Sequence, residues 1–159
     1  MDFQLDNDMV LKNINTRLEH HGDNRVTAID ISLEGIMKAE ILDQCMLDGR
    51  SLSGGFWTKD GKVMFPQLGE YGITIAFEDH KASIGLAGFD GELPMVDLDD
   101  VTIDKIKFTP QDGHMAQIKM RIRCEIKGVT IGKMIDQYLG ELIQVKTEAV
   151  NTPLEFDES

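Results

Sequence analysis

Apolar and polar residues alternate with a period of two over several stretches of the chain, and this alternation predicts half-buried β-strands. The clearest case is residues 25–34, where Ile29, Ile31 and Leu33 fall on one side and Asp30, Ser32 and Glu34 on the other. Residues 8–15 predict an earlier strand, followed by a polar turn at His20-His21-Gly22-Asp23-Asn24. Further strands are predicted over 62–65, 72–77 and 81–86, with Glu78-Asp79-His80 as the turn joining the last two. The longest pair covers 101–108 and 115–127, connected through Thr109-Pro110-Gln111-Asp112-Gly113-His114, and residues 142–147 predict a final edge strand.

The period changes in two places. Ile41, Leu42, Cys45 and Met46 are spaced as one stripe of a short helix over about 39–47, with Gly49 placed to end it. Ile131, Met134, Ile135, Tyr138 and Leu139 form a second stripe over about 131–140, capped by Thr130 and closed by Gly140. Between the first helix and the next strand, residues 49–61 are rich in glycine and serine and predict an exposed, mobile loop carrying Trp57. Together these elements predict a mainly β fold, an antiparallel β-sandwich or open barrel with two short helices. Residues 1–147 read as a single β-rich domain and residues 148–159 as an acidic, loosely ordered tail. The core is predicted around Ile29, Ile31, Ile73, Ile75, Ile118, Met120 and Ile122.

Composition narrows the functional classes. With 28 acidic against 16 basic residues the formal charge is −12, a field that attracts basic surfaces and repels polyphosphate at long range. No apolar run is long enough to cross a bilayer, and the acidic start is unlike a signal peptide, so no membrane partner and a cytoplasmic location are expected. Cys45 and Cys124 each sit among apolar neighbours, as buried thiols in a reducing compartment would.

Against that charge stands one local exception. If Ile118, Met120, Ile122, Cys124 and Ile126 face inward, Lys119, Arg121 and Arg123 must line up outside. Ile106 and Phe108 inward likewise send Lys105 and Lys107 to the same face, beside Gln117 and Lys119. Such a basic ribbon can track a single-stranded nucleic acid or dock on an acidic partner, or it can be a solvated face balanced by nearby carboxylates. No aromatic residue occupies its outward positions.

Other constellations carry less. Asp97, Asp99, Asp100 and Asp104 lack the spacing of a calcium loop. His20-His21 with Asp23, and Asp112 with His114, lack a metal-ligand grammar. No nucleophile elbow, phosphate-binding loop or dinucleotide fingerprint occurs. No metal, no cofactor and no catalytic residue is predicted.

The run Val10-Leu11-Lys12-Asn13-Ile14-Asn15-Thr16-Arg17-Leu18-Glu19-His20-His21-Gly22-Asp23, then Val26-Thr27-Ala28-Ile29-Asp30-Ile31, resembles small uncharacterised proteins of bacteriophages and prophages. The 101–108 strand, the Asp112-Gly113 turn and the long strand after it extend the likeness. The resemblance implies an accessory factor of DNA replication and recombination, or of defence against the host, inside a bacterial cytoplasm. It names no catalytic residue. Two roles follow as expectations. One is a non-enzymatic protein binding single-stranded DNA through Lys105, Lys107, Lys119, Arg121 and Arg123. Its acidic tail, Glu155, Phe156, Asp157 and Glu158, would recruit partners, much as the tails of bacterial single-strand-binding proteins do, although the last residue here is Ser159. The other is an acidic inhibitor, a DNA mimic or steric block of a host DNA- or RNA-binding protein. An enzyme with an unrecognised site is the remaining class, and self-association into a homo-oligomer stays open.

Overall fold

The computed structural model describes residues 3–45, 51–89, 91, 93, 95–126 and 129–149. Six strands form: β1 Leu5–His21, β2 Asn24–Lys38, β3 Ile73–Ala87, β4 Val96–Gln111, β5 Met115–Ile126 and β6 Leu142–Ala149. They pair antiparallel throughout in the order β1-β2-β5-β4-β3-β6, and β6 returns to β1, so the barrel is closed. The expected antiparallel β fold is therefore present, but as a closed barrel and not as a sandwich or an open barrel. The stretch expected as an edge strand is the one that closes it. Alternate residues of β6 leave Ile143 and Val145 buried, while its backbone pairs Met9↔Ile143 on one side and Leu86↔Val145 on the other. Closure gives every strand a partner on both sides over part of its length.

The strands are long because each serves more than one neighbour as the sheet curls. β1 gives residues 5–10 to β6 and residues 10–21 to β2. Register shifts bend the strands at Leu11/Asn13, Ala76/His80, Ala82/Ile84 and Ile103/Lys105. One of these replaces the expected Glu78-Asp79-His80 turn. β3 runs straight through that triplet, advancing four residues from Ala76 to His80 while β4 moves two, from Lys105 to Ile103. The two extra residues bulge without reversing the chain.

Inward-pointing residues fill the barrel, among them Leu11, Ile31, Leu33, Ile103, Ile106, Phe108 and Ile122, all with no accessible surface. Of the expected core, Ile29, Ile31, Ile118, Met120 and Ile122 are buried and Ile73 and Ile75 are half-buried against it. One end is stopped by helix α3, Val129–Asp136, and the turn after it. Ile135 and Tyr138 are fully buried there, and the Tyr138 hydroxyl donates to the Leu86 carbonyl at 3.3 Å. The helix is shorter than the stripe implied: Thr130 lies within it and not at its cap, and Leu139 is exposed beyond its end. The first expected helix is a 3-10 helix, Ala39–Cys45.

At the other end, residues 51–65 depart from the exposed, mobile loop expected of 49–61. They include α1, Ser53–Phe56, and lead into α2, Pro66–Tyr71; the expected strand over 62–65 reduces to one bridge, Trp57↔Val63. Trp57 is 3 % exposed and donates its indole N–H to the Gln111 carbonyl at 2.8 Å. The Gly61 carbonyl accepts from the backbone N–H groups of Gly113 and His114, and Asp112 accepts from the Val63 N–H. Gly61 adopts φ +85°, a conformation open to glycine at little cost, and that turn brings its carbonyl onto the hairpin tip. This segment is a clasp on the β4–β5 hairpin.

Candidate functional site

The wall formed by β2, β5 and β4 carries the five cations singled out in the sequence, and alternation places all of them outside. β5 sets the axis. Lys119 lies opposite Glu34 on β2 and Lys107 on β4; Arg121 opposite Ser32 and Lys105; Arg123 opposite Asp30 and Thr102. Gln117, expected beside Lys105 or Lys107, instead faces Thr109, because the turn over residues 112–114 pairs Gln111 with Met115 and carries that register down the hairpin. Lys105, Lys107, Lys119 and Arg121 are exposed and Arg123 is half-buried.

Three of the five are ion-paired. Lys119 reaches Glu34 at 3.1 Å, Arg121 reaches Asp104 at 3.7 Å, and Arg123 reaches Asp30 at 3.4 Å and Asp104 at 3.7 Å. The carboxylates are shared: Glu34 also receives Lys12 at 3.7 Å and Asp30 also receives Arg17 at 3.3 Å. Lys105 and Lys107 have no ion pair among the described residues. Over β2, β5 and β4 as a whole the charges balance, seven basic residues against seven acidic; at the centre of the wall Lys105, Lys107, Lys119, Arg121 and Arg123, joined by Lys12 of β1, stand against Asp30, Glu34 and Asp104. The cationic surplus is thus confined to the centre of the wall, where pairing moderates it.

Within it lies a hollow of about 220 Å³, lined by Lys12, Lys105, Lys107, Lys119 and Arg121 with Glu34 as the one carboxylate. Its middle is open because the residue facing Arg121 on β2 is the small Ser32, while long side chains stand around it. An anion entering here meets ammonium and guanidinium donors on several sides. The outward neighbours Ser32, Thr74, Ala76, Thr102, Thr109 and Gln117 include no aromatic ring. Lys12 was not legible as a member, since the bulge at Leu11/Asn13 changes which residues of β1 face outward.

The other candidates do not assemble. Asp97, Asp99 and Asp100 are exposed, while Asp104 belongs to the wall. Among the described residues no group of three His, Cys, Asp or Glu side chains could hold a metal ion. His114 sits in the β4–β5 turn at φ 54°, where its carbonyl accepts the Ala39 N–H. Burial pushes both thiols up to about 11, aided by Asp43 at Cys45 and by Asp30 and Asp100 at Cys124. A reactive thiolate needs the opposite shift. A feature with no sequence signal is an apolar hollow of about 370 Å³ between α3 and the barrel, lined in part by Ile14, Ile29, Ile126 and Ile135. The tail residues Glu155, Phe156, Asp157 and Glu158 lie outside the described residues. No described helix is long and apolar enough to cross a membrane. Comparison with family models, with curated proteins and with solved structures finds no match to this chain.

Proposed function

We propose that the protein is a non-enzymatic binding protein, of the accessory type that phages encode, and that it takes a single-stranded nucleic acid on the β2–β5–β4 wall. The observation that carries this reading is the hollow at the centre of the wall, lined by five cations and one carboxylate in a chain whose formal charge is −12. The pairs that Asp104 makes with Arg121 and Arg123 are 30–44 % exposed, and exposed pairs contribute only about 0–1 kcal/mol, so a phosphate can displace that carboxylate at little cost. Lys105 and Lys107 need no displacement. Because the wall offers charges and not a pattern of donors and acceptors for base edges, binding is weak, salt-sensitive and indifferent to sequence. The acidic remainder of the surface repels the strand and so orients it toward this wall.

The test is fluorescence anisotropy of a labelled single-stranded oligonucleotide at 50 mM and 200 mM salt. Each phosphate contact contributes about 0.7 to the slope of log affinity against log salt. Replacing Lys105 and Lys107 by alanine should flatten the slope by about 1.4 while leaving the thermal transition in place. Absence of binding by the wild type at the lower salt, or a slope that ignores both substitutions, rejects the reading.

A second reading is favoured by Asp97, Asp99 and Asp100, which are exposed together at the start of β4. A surface of that sign suits an inhibitor that occupies a basic groove on a host DNA- or RNA-binding protein. Its activity would fall when these three are changed to asparagine and would survive loss of Lys105 and Lys107.

A further inference from the structure

Single-strand binding surfaces ordinarily combine a cationic track with rings on which bases stack, and the wall itself has no ring. One lies at its margin. Tyr71, at the end of α2, is 75 % exposed, the most exposed of the large apolar side chains described. Its hydroxyl makes no hydrogen bond among the described residues. The ring is thus presented to solvent with neither its face nor its tip engaged.

Its position relative to the wall is set by the next residue. Gly72 has φ +71°, and a methyl group there would come within 2.6 Å of Lys107 Cε. The Lys107 side chain therefore lies directly over the backbone at residue 72, one residue from Tyr71, and the same side chain lines the cationic hollow. The pairing Thr74↔Lys107 and Ile73↔Phe108 fixes this end of β3 on β4. The segment leading to α2 is anchored as well: the Phe65 ring meets Phe56 at 6.4 Å, and Phe56 meets the buried Phe108 at 5.6 Å. Tyr71 is held on a fixed support, which limits the ordering a ligand must impose.

We propose that Tyr71 is the stacking platform for a nucleobase of a strand whose neighbouring phosphate is held by Lys107 and the hollow. The proposal rests on the nucleic-acid reading of the wall and adds to it a contact to the base. Charge complementarity selects the occupant: an exposed ring beside Lys107 and the cationic hollow suits a ligand that alternates flat π-faces with anions.

The experiment compares two labelled single strands of equal length and charge, one of thymidines and one of abasic residues, against the wild type, Tyr71→Ala and Tyr71→Phe. Stacking on one ring corresponds to about 5- to 150-fold in affinity. Tyr71→Ala should lose that factor on the thymidine strand and nothing on the abasic strand, with the salt slope unchanged; Tyr71→Phe should retain wild-type binding. Equal affinity of the wild type for both strands, or equal loss by Tyr71→Ala on both, overturns the platform and leaves the wall standing. Binding to neither strand overturns the wall and the platform together.

Discussion

Asp104 is the most informative residue of the wall, because removing its charge should strengthen binding. Its carboxylate lies 3.7 Å from Arg121 and 3.7 Å from Arg123. At that distance in water each attraction is about 1.1 kcal/mol before salt screening, and the side chains involved are 30–44 % exposed. Asp104→Asn should therefore cost less than about 1 kcal/mol of stability. It removes one of the three carboxylates at the centre of the wall and leaves two guanidinium groups without that partner. One further phosphate contact steepens the salt slope by about 0.7, so the ratio of affinities at 50 mM and 200 mM salt should grow about 2.6-fold. Anisotropy titrations at the two salts read this directly. Asp97→Asn is the matched comparison, for it removes the same charge from the same strand at an exposed position away from the hollow. If the two variants steepen the slope equally, the effect is one of net charge and the wall has no special part in it. If Asp104→Asn weakens binding, the carboxylate belongs to the recognition surface and the anion-binding reasoning is refuted.

Three further outcomes test the fold. Ile122→Ala, at a fully buried position between β2 and β4, should lower the unfolding free energy by about 2–5 kcal/mol in urea denaturation; a loss under about 0.5 kcal/mol would contradict the inward register of β5. Trp57, the only tryptophan, should emit at short wavelength and resist acrylamide quenching, whereas the exposed-loop expectation requires red-shifted, readily quenched emission. The thiol of Cys124 is raised to about 11 from 9.0 by burial, then by Asp30 and Asp100. Above pH 9 the unfolded thiol loses its proton first, so this group's share of stability is complete below pH 9 and disappears as pH rises toward 11. Urea midpoints across that range should fall more steeply for the wild type than for Cys124→Ala, and parallel curves would show that the thiol is not protected.

Much of the β structure was legible because alternation reports which side of a strand faces the core. It does not report which strand lies alongside. Ile143 and Val145 mark a buried face on β6, but nothing local shows that its partners are residues 5–10 and 82–87, and so it read as an edge. Glu78-Asp79-His80 has the polarity of a turn, and a bulge within a strand accommodates the same residues. Gly61 announces a bend correctly, whereas Gly54 and Gly55 lie within α1; the burial of Trp57 depends on the β4–β5 hairpin tip, about fifty residues further on. The same limit applies to the site. The outward direction of Lys119, Arg121 and Arg123 follows from β5 alone, whereas the carboxylates that partner them come from β2 and from the bulged part of β4, which only the strand order brings near.

The charge balance of the wall is itself a product of closure. Counting inward from Val101 and Ile103, strict alternation would send Asp104 out and Lys105 in; counting back from Ile106 and Phe108, it would send Lys105 out and Asp104 in. Either choice buries an ion, which is strongly unfavourable without a partner. The bulge between Ile103 and Lys105 inserts one residue into β4, so both counts hold and both charges reach solvent. Asp104 is then available to hold Arg121 and Arg123 together, and Lys105, without an ion pair among the described residues, borders the hollow. The bulge at Leu11/Asn13 does the same for β1, turning the consecutive residues Lys12 and Asn13 outward and bringing Lys12 to Glu34 on the opposite side of that hollow. Barrels need such local bends to close, and here two of them set which cations border the hollow and which carboxylates moderate them. Restoring regular alternation at either bulge would alter barrel curvature and ligand electrostatics in one step.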